Sequence, residues 1–482
     1  MRYFLGLDIG TKNIKAVVLS DEGNIEEEVS TPVYDLINQP RDGFVERDPL
    51  SLWRRVCDSL KKLKLKDKVE GVCVDATSGT IVPVDDKGTP LHSLVMYNDS
   101  RAVAEAEELR RSSSKAREFE SFLPITPQLV LPKIMWMKKS CEFYRRIYKI
   151  LHESDYIVYR LTGLFASSSN TAGKSHALLD CLKYLEEAYE DVDVPVDFMP
   201  ELKPIGSVVG YVTENASVEA GLPSGIPVIN GVTDASAGDI TSGAIKAGQA
   251  NATIGTALTV HVVVDKPVPD AFQRFYYKTY VNDLFLAGGF TNAGTTALDT
   301  MSGLLGKNLI ELTDMARKIP PGCEGLIACT EWYGVRVPKT YPSVRGFFIG
   351  LSEITANPGV IFRSMLEGSA LALKLMLDAV EEVTKIEVYD LRVSGGASRN
   401  DLFMSIIADV SGKDVYVVEE PNSAVGSAIL AMWGCIGGEI EEIVSKVVKI
   451  RERFKPNMEN HVKYSKLLDK YVKLIENLAK VV

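Results

Sequence analysis

Apolar and polar residues alternate along this chain in two rhythms. Short runs that are apolar throughout, or apolar at every second position, predict strands at residues 3–7, 14–19, 71–75, 228–230 and 391–393. Between them lie segments whose apolar residues recur every three or four positions. Over residues 49–64, Trp53, Val56, Leu60 and Leu63 fall on one helical face with Arg and Lys opposite. A second helix is predicted over 359–382, with Phe362, Leu366, Ala370, Leu373, Leu377 and Val380 on one stripe. A third covers 464–482 and carries Tyr464, Leu468, Tyr471, Ile475 and Leu478. All three helices are expected to cover sheet faces, and strands interleaved with helices argue for an α/β architecture.

The opening unit is a strand, then Asp8-Ile9-Gly10-Thr11-Lys12-Asn13, then a second strand ending at the Ser20-Asp21-Glu22-Gly23 turn. A similar unit recurs at 249–254, followed by Gly255-Thr256 and an apolar run at 258–264. Two hairpins that each turn through Gly-Thr suggest a duplicated core. The 482 residues exceed what one hydrophobic core spans, so two domains are expected, 1–242 and 243–482.

Charge narrows the partners. Lys and Arg number 54 against 64 Asp and Glu, a net charge of −10, so the surface repels phosphate backbones and acidic lipid. Nucleic acid and membrane partners are therefore disfavoured. A charge at Asp8 and the lack of a long apolar run lead to the expectation of neither secretion nor membrane insertion, and of a cytoplasmic protein. The seven cysteines are scattered with no Cys-x-x-Cys pair, which argues against a disulfide framework or zinc knuckle. His92, His152, His176, His261 and His461 have no ligand spacing.

Five places have residue types suited to chemistry. Asp8-Ile9-Gly10-Thr11-Lys12 follows a strand directly; its carboxylate can hold a hydrated cation, and its turn amides can hold phosphate oxygens, although an ordinary hairpin turn would look the same. Gly255 and Thr256 form a second turn of this kind. Ser394-Gly395-Gly396-Ala397-Ser398-Arg399-Asn400 joins a strand to a helix-period segment at 402–410, where adjacent glycines let a flat ring or a phosphate approach the backbone. Asn230-Gly231-Val232-Thr233-Asp234-Ala235 sets an aspartate among small residues after a strand, suited to a general base and equally to a helix N-cap. Asp75-Ala76-Thr77-Ser78-Gly79-Thr80, with Tyr97-Asn98-Asp99-Ser100-Arg101, offers the donors and acceptors that several sugar hydroxyls require. Asp99 and Arg101 can also be read as a structural pair.

With these sites in this order, joined by Arg345-Gly346 and Gly350-Leu351, the chain resembles the FGGY carbohydrate kinases over essentially its whole length. The resemblance implies the duplicated ribonuclease-H-like fold of actin and hexokinase, two domains with an interdomain cleft. It implies transfer of the γ-phosphoryl group of ATP, with Mg²⁺, to a hydroxyl of a small sugar or polyol. Carried over by position, Asp234 becomes the catalytic base and, with Asp8, a metal-side carboxylate. Asp8, Thr77, Ser78, Asp99, Arg101 and Asp234 become substrate contacts. Gly10, Thr11, Lys12, Gly255, Thr256, Gly294, Gly395, Gly396, Ala397 and Asn400 become nucleotide contacts. The loop after residue 75 looks like that of the D-ribulose kinases and the xylulokinase-like branch, which implies a 2-ketopentose, D-ribulose first and D-xylulose second. Tyr97-Asn98-Asp99 departs from the commoner Trp-x-Asp-x-Arg. The alternatives are another polyol of the same family, such as glycerol or L-ribulose, and an actin- or Hsp70-like ATPase without sugar kinase activity. The aromatic stretch at 272–280 reads as packing or as a homodimer surface.

Overall fold

Gly10 and Thr11 turn the chain from β1 (Tyr3–Ile9) into β2 (Asn13–Ser20), an antiparallel hairpin with Ile9 opposite Ile14. In this computed structural model, which describes residues 1–419 and 422–482, β3 (Ile25–Pro32) extends the hairpin into a meander. On the other side of β1 lies β4 (Val69–Ala76), parallel, with Asp8 opposite Asp75. Both β1 and β4 are buried over nearly their whole length, which is why they read as unbroken apolar runs. β5 (Val208–Tyr211) and β6 (Pro227–Ile229) complete the sheet, β6 parallel to β4 and β5 antiparallel at the edge, in the order β5-β6-β4-β1-β2-β3.

The second sheet repeats this plan. β7 (Gln249–Ile254) and β8 (Leu258–Val264) form its hairpin, and β9 (Phe285–Thr291) extends it antiparallel. β10 (Asp390–Ser394) runs parallel to β7, β11 (Val415–Val418) parallel to β10, and β12 (Ile450–Phe454) closes the edge antiparallel. The order β9-β8-β7-β10-β11-β12 therefore matches β3-β2-β1-β4-β6-β5 strand for strand and direction for direction, with Tyr276–Thr279 added outside β9. The copies differ at one edge: β5 precedes its neighbour in the chain and β12 follows its own. The duplicated core suggested by the two Gly-Thr hairpins is thus present, in the ribonuclease-H-like arrangement that the family resemblance implies.

Among the helices around these sheets are α1 (Pro49–Lys61), α2 (Asp234–Ser242), α3 (Thr295–Leu305), α4 (Leu309–Arg317), α5 (Pro358–Thr384), α6 (Asp401–Ser411), α7 (Ser423–Ile436) and α8 (Met458–Leu478). α1 begins at Pro49 because Asp48 caps it, accepting from the Ser51 N–H at 2.7 Å. It packs Leu52, Trp53, Val56 and Leu60 toward β2 and β3. α5 shows more than the single stripe expected. Ser364, Gly368, Ser369 and Ala372 are buried along with the large apolar residues, because helices α4 and α6 and the strands β8 and β9 all pack against it. α8 starts six residues before 464 and packs on α6, with its buried Tyr464 reaching Glu367 of α5 at 2.8 Å and its Tyr471 reaching Cys329 of the short strand Ile327–Cys329 at 3.3 Å.

The packing units are not contiguous in sequence. One comprises Met1–Gly243, Lys278–Asp283 and Asn422–Val448; the other comprises Ala244–Tyr277, Leu284–Pro421 and Lys449–Val482. A single cut after 242 misses the two returns, and α7 is the physical reason for the longer one. This apolar helix lies across β1 and β4 and against α2, so closely that a Cβ added at Gly6 would stand 1.8 Å from the Ala424 carbonyl oxygen. One added at Gly426 would stand 2.0 Å from the carbonyl oxygen of Ala237. Gly426→Ala is therefore expected to destabilise the protein by about 1–3 kcal/mol or more through overpacking. Gly303→Ala in α3, where an added Cβ meets nothing within 4 Å, is expected to stabilise it by about 0.5–1 kcal/mol. Thermal denaturation of the two variants beside the wild type checks the opposite signs.

Candidate active site

The parallel strands of the first unit end together, and their last residues form a cluster of carboxylates. Asp8 and Asp75 sit opposite each other on β1 and β4, and Ala76 bridges to Thr233, the residue before Asp234. Ser423 of α7 donates to Asp8 Oδ2 at 2.7 Å, and Ser427, one turn on, donates to Asp75 Oδ2. Both Oδ1 atoms are buried and take no donor from the rest of the protein. Burial and the adjacent Asp8 charge push the Asp75 carboxyl well above the usual carboxylate range.

Asp234 is the first residue of α2, and Thr233 holds the N-cap position. The cap alternative therefore falls to Thr233, while Asp234 is left partly exposed with Oδ1 accepting from the Ala235 N–H at 2.7 Å. Burial, then the Asp8 charge, raise its carboxyl to about 6, against the opposing pull of Lys278, the Ala235 N–H and Lys174. Those two lysines were not singled out by sequence. Lys174 lies in a Ser/Thr/Asn/Gly-rich loop, donates to the Ser78 carbonyl at 2.9 Å, and is pushed down to about 8 by burial and by Lys278. Lys278 belongs to the aromatic stretch read as packing or as a homodimer surface, and donates to Thr233 Oγ1 at 3.1 Å. No local motif marks either one, since each reaches the carboxylates only through the tertiary fold.

The loop after β4 points its hydroxyls mostly inward. Thr77 Oγ1 lies 2.7 Å from Thr80 Oγ1 and donates to Glu153 Oε2 at 3.1 Å, whereas Ser78 is half-buried. Lys133, fully buried, donates to the Gly79 and Met96 carbonyls at 2.8 and 2.9 Å and is pushed down to about 7 by burial and by Lys174. Asp99 and Arg101, expected to touch the sugar, belong to each other instead. Their side chains are 0% exposed, and Asp99 accepts from the Arg101 guanidinium at 2.8 and 2.9 Å and from the Val45 N–H at 2.6 Å. The guanidinium also reaches Glu46 at 2.7 Å and lies over the rings of Phe44 and Trp136. Asp99 and the Nε and Nη2 donors of Arg101 are spent inside the protein, which is the structural-pair alternative, while Arg101 Nη1 is buried without a hydrogen-bond partner among the described residues. Among the described residues no group of three or more His, Cys, Asp or Glu side chains is arranged to hold a metal ion.

In the second unit the glycine sites converge. The Gly255 carbonyl accepts from the Thr295 N–H at 2.8 Å, and the Thr256 carbonyl accepts from Thr296 Oγ1 at 3.1 Å. Gly294 caps α3, where an added Cβ would stand 2.4 Å from the Thr256 carbonyl oxygen. Gly395, at φ +89°, presses on the Ile254 backbone, where only glycine combines that conformation with that closeness. These turns edge a cavity of about 520 Å³ lined also by Gly396, Ala397 and Asn400, with Leu298, Leu309, Arg317 and Phe362 as walls that sequence reasoning did not find. Asn400 has two structural tasks there: Oδ1 caps α6 at the Phe403 N–H, and Nδ2 donates to Thr313 Oγ1 at 3.0 Å. In the first unit, Gly10 closes its turn by donating to the Asn13 carbonyl at 3.0 Å, and Lys12 beside it is exposed.

Comparison with known proteins agrees with this arrangement. Residues 3–241 match the N-terminal domain and residues 250–435 the C-terminal domain of the FGGY family of carbohydrate kinases. The chain is 25% identical to a gluconokinase from Bacillus licheniformis, over 98% of this chain and 95% of that one. It is 26% identical to a xylulose kinase from Staphylococcus xylosus, over 90% and 91%. It superimposes on the crystal structure of xylulose kinase from Rhodospirillum rubrum with a TM-score of 0.91 at 24% identity, covering 100% and 99% of the two chains. A chain whose first half matches the N-terminal domain and whose second half matches the C-terminal domain of one family leaves one assignment: this chain belongs to the FGGY family of carbohydrate kinases and is an ATP-dependent sugar kinase.

Proposed function

We propose that the chain phosphorylates a 2-ketopentose, D-ribulose in preference to D-xylulose, with Asp234 as general base. The observation that carries the reading is the setting of Asp234: partly exposed at the head of α2, beside two lysines, and poised at about 6. Asp234 takes the proton of the acceptor hydroxyl. The freed oxygen forms its bond to the γ-phosphorus as the bond from that phosphorus to the β–γ bridging oxygen breaks, giving the sugar phosphate and ADP. Lys174 and Lys278 offset the negative charge gathered around the reacting oxygens. Ser78, with its half-buried side chain, is the hydroxyl offered to the sugar; Thr77, Asp99 and Arg101 shape the loop from behind.

In the second unit the nucleotide is held through Gly255, Thr256, Gly294, Gly395, Gly396 and Ala397, with Asn400 fixing the end of α6; in the first, the Gly10-Thr11-Lys12 turn presents amides suited to phosphate oxygens. Mg²⁺ fits the donor set: Asp8 has one oxygen free of protein donors, Asp234 is a second carboxylate, and the absence of a full cage among the described residues suits an ion that arrives with the nucleotide phosphates. Bound there, it would neutralise phosphate charge. The preference for a pentulose rests on Asp75-Ala76-Thr77-Ser78-Gly79-Thr80 and on the relatives named xylulose kinases. A second reading, an aldonate as acceptor, is favoured by the lysine pair beside Asp234, which suits a carboxylate, and by the relatives named gluconokinase.

Purified protein assayed with ATP, Mg²⁺ and a panel of ketopentoses, polyols and aldonates is expected to give its highest kcat/KM with D-ribulose; turnover of gluconate or glycerol alone would overturn the substrate assignment. Asp234→Asn is expected to lower kcat by roughly a hundredfold or more, the usual loss for a general base, and near-normal turnover would remove it from that role. Because the base must be unprotonated, kcat/KM is expected to fall as pH drops through about 6. Lys278→Met, which removes a cation that favours the carboxylate, moves this acid limb to higher pH. A pH–rate profile of both proteins, flat to pH values well below the limb, would contradict the assignment.

A further inference from the structure

We infer that Arg47 and Glu153 form a positioning pair that holds the phosphate turn and the sugar loop in one register; this rests on the proposed roles of residues 8–12 and 77–80. Arg47 lies on the short strand Glu46–Arg47, and Glu153 opens the helix Glu153–Thr162, 106 residues away in sequence. Both side chains are 0% exposed, and Arg47 Nη1 donates to Glu153 Oε1 at 2.8 Å. The remaining contacts run in two directions. Arg47 Nη2 donates to the carbonyls of Gly10 at 3.2 Å and Thr11 at 2.9 Å. Glu153 Oε2 accepts from Thr77 Oγ1 at 3.1 Å, and the Glu153 N–H donates to the Thr80 carbonyl at 3.0 Å. Thr80 Oγ1 in turn accepts from the Tyr97 N–H at 3.0 Å.

One planar guanidinium therefore grips both carbonyls of the turn. Fixing those peptide planes fixes the direction of the N–H groups on their other side, which are the groups a phosphate would meet. The carboxylate on the same guanidinium fixes the first residue of the sugar loop. A shift of either loop is transmitted through one rigid pair of charges to the other, and a misplacement of about 1 Å at a reacting centre can cost about a hundredfold in rate. Stability does not account for the pair, because a buried ion pair is generally no better than apolar side chains of equal volume. Its contacts with both loops do. A lysine at 47 would bring a point charge able to meet Glu153 but without the fork needed to hold two carbonyls as well.

Two variants test this. Arg47→Met/Glu153→Leu removes both charges together and leaves none uncompensated; Arg47→Lys keeps the charge and loses the fork. Kinetics with ATP and the best sugar, and thermal melting, are measured on each. The expected result is a Tm close to that of the wild type, with kcat/KM for both substrates reduced roughly a hundredfold in the double variant and at least about tenfold in Arg47→Lys. A folded variant of either kind with kcat/KM within about twofold of wild type overturns the proposal, and so does a lowered Tm with unchanged kinetics, the signature of a purely structural pair. If the double variant does not fold, Arg47→Lys decides alone. Asp8→Ala in the same assay separates the two readings. Unchanged turnover there overturns the assignment of the turn itself, whereas lost turnover beside normal Arg47 variants overturns only the positioning role.

Discussion

The parallel pairing of β1 with β4 is the constraint on which the candidate site depends. Both strands are apolar on both faces, so they are buried between layers, and their register puts Asp8 beside Asp75 at the ends of the strands. Side chains alternate along a strand, so a slip of one residue would turn one carboxylate to the opposite face and leave it without a partner. α7 locks the register from above. Its Ser423 and Ser427, four residues apart on one helical face, supply one hydroxyl to each carboxylate, and Gly6 and Gly426 let it come close enough to do so.

Carboxylates packed this closely cannot all be ionised cheaply in a buried setting, and the protein resolves the conflict by giving each a different environment. Asp75, wholly enclosed, is pushed well above the usual carboxylate range by burial and by the Asp8 charge. Asp234, partly open, sits near 6 because burial and Asp8 raise it while Lys278 and Lys174 restrain it. The lysines respond in turn: Lys174 and Lys133 both lose affinity for their protons through burial and through the cation beside each. Groups whose affinities are pushed apart in this way suit proton transfer better than stability.

Duplication of the sheet gave the chain two Gly-Thr turns at equivalent places, and the two copies have been elaborated differently. Around the first, strand ends carry carboxylates, lysines and a hydroxyl-bearing loop. Around the second, the strand ends carry glycines, and the helices α3, α4 and α6 wall a largely apolar cavity of about 520 Å³. The same hairpin thus serves charge chemistry in one copy and close backbone approach in the other, a difference made by the residues placed on the next parallel strand: Asp75 on β4, Gly395 after β10.

Much of this was legible in the sequence because it is local. The strands at 249–254 and 258–264 appear where the pattern puts them, α1 starts at Pro49 where its helical period begins, and the five sites in their order were enough to suggest the family. What the chain could not disclose alone is long-range. Lys174 and Lys278 become neighbours of Asp234 only when segments far apart in sequence fold together, and Asp99 with Arg101 proved to be a buried pair because Val45, Phe44 and Trp136 close over them. α7 was invisible as part of the first unit because its apolar composition says that it is buried but not against what. Sequence pattern fixes which residues leave water and how each segment turns; which carboxylate keeps its proton depends on the charges and the burial around it, and those exist only once the tertiary structure has formed.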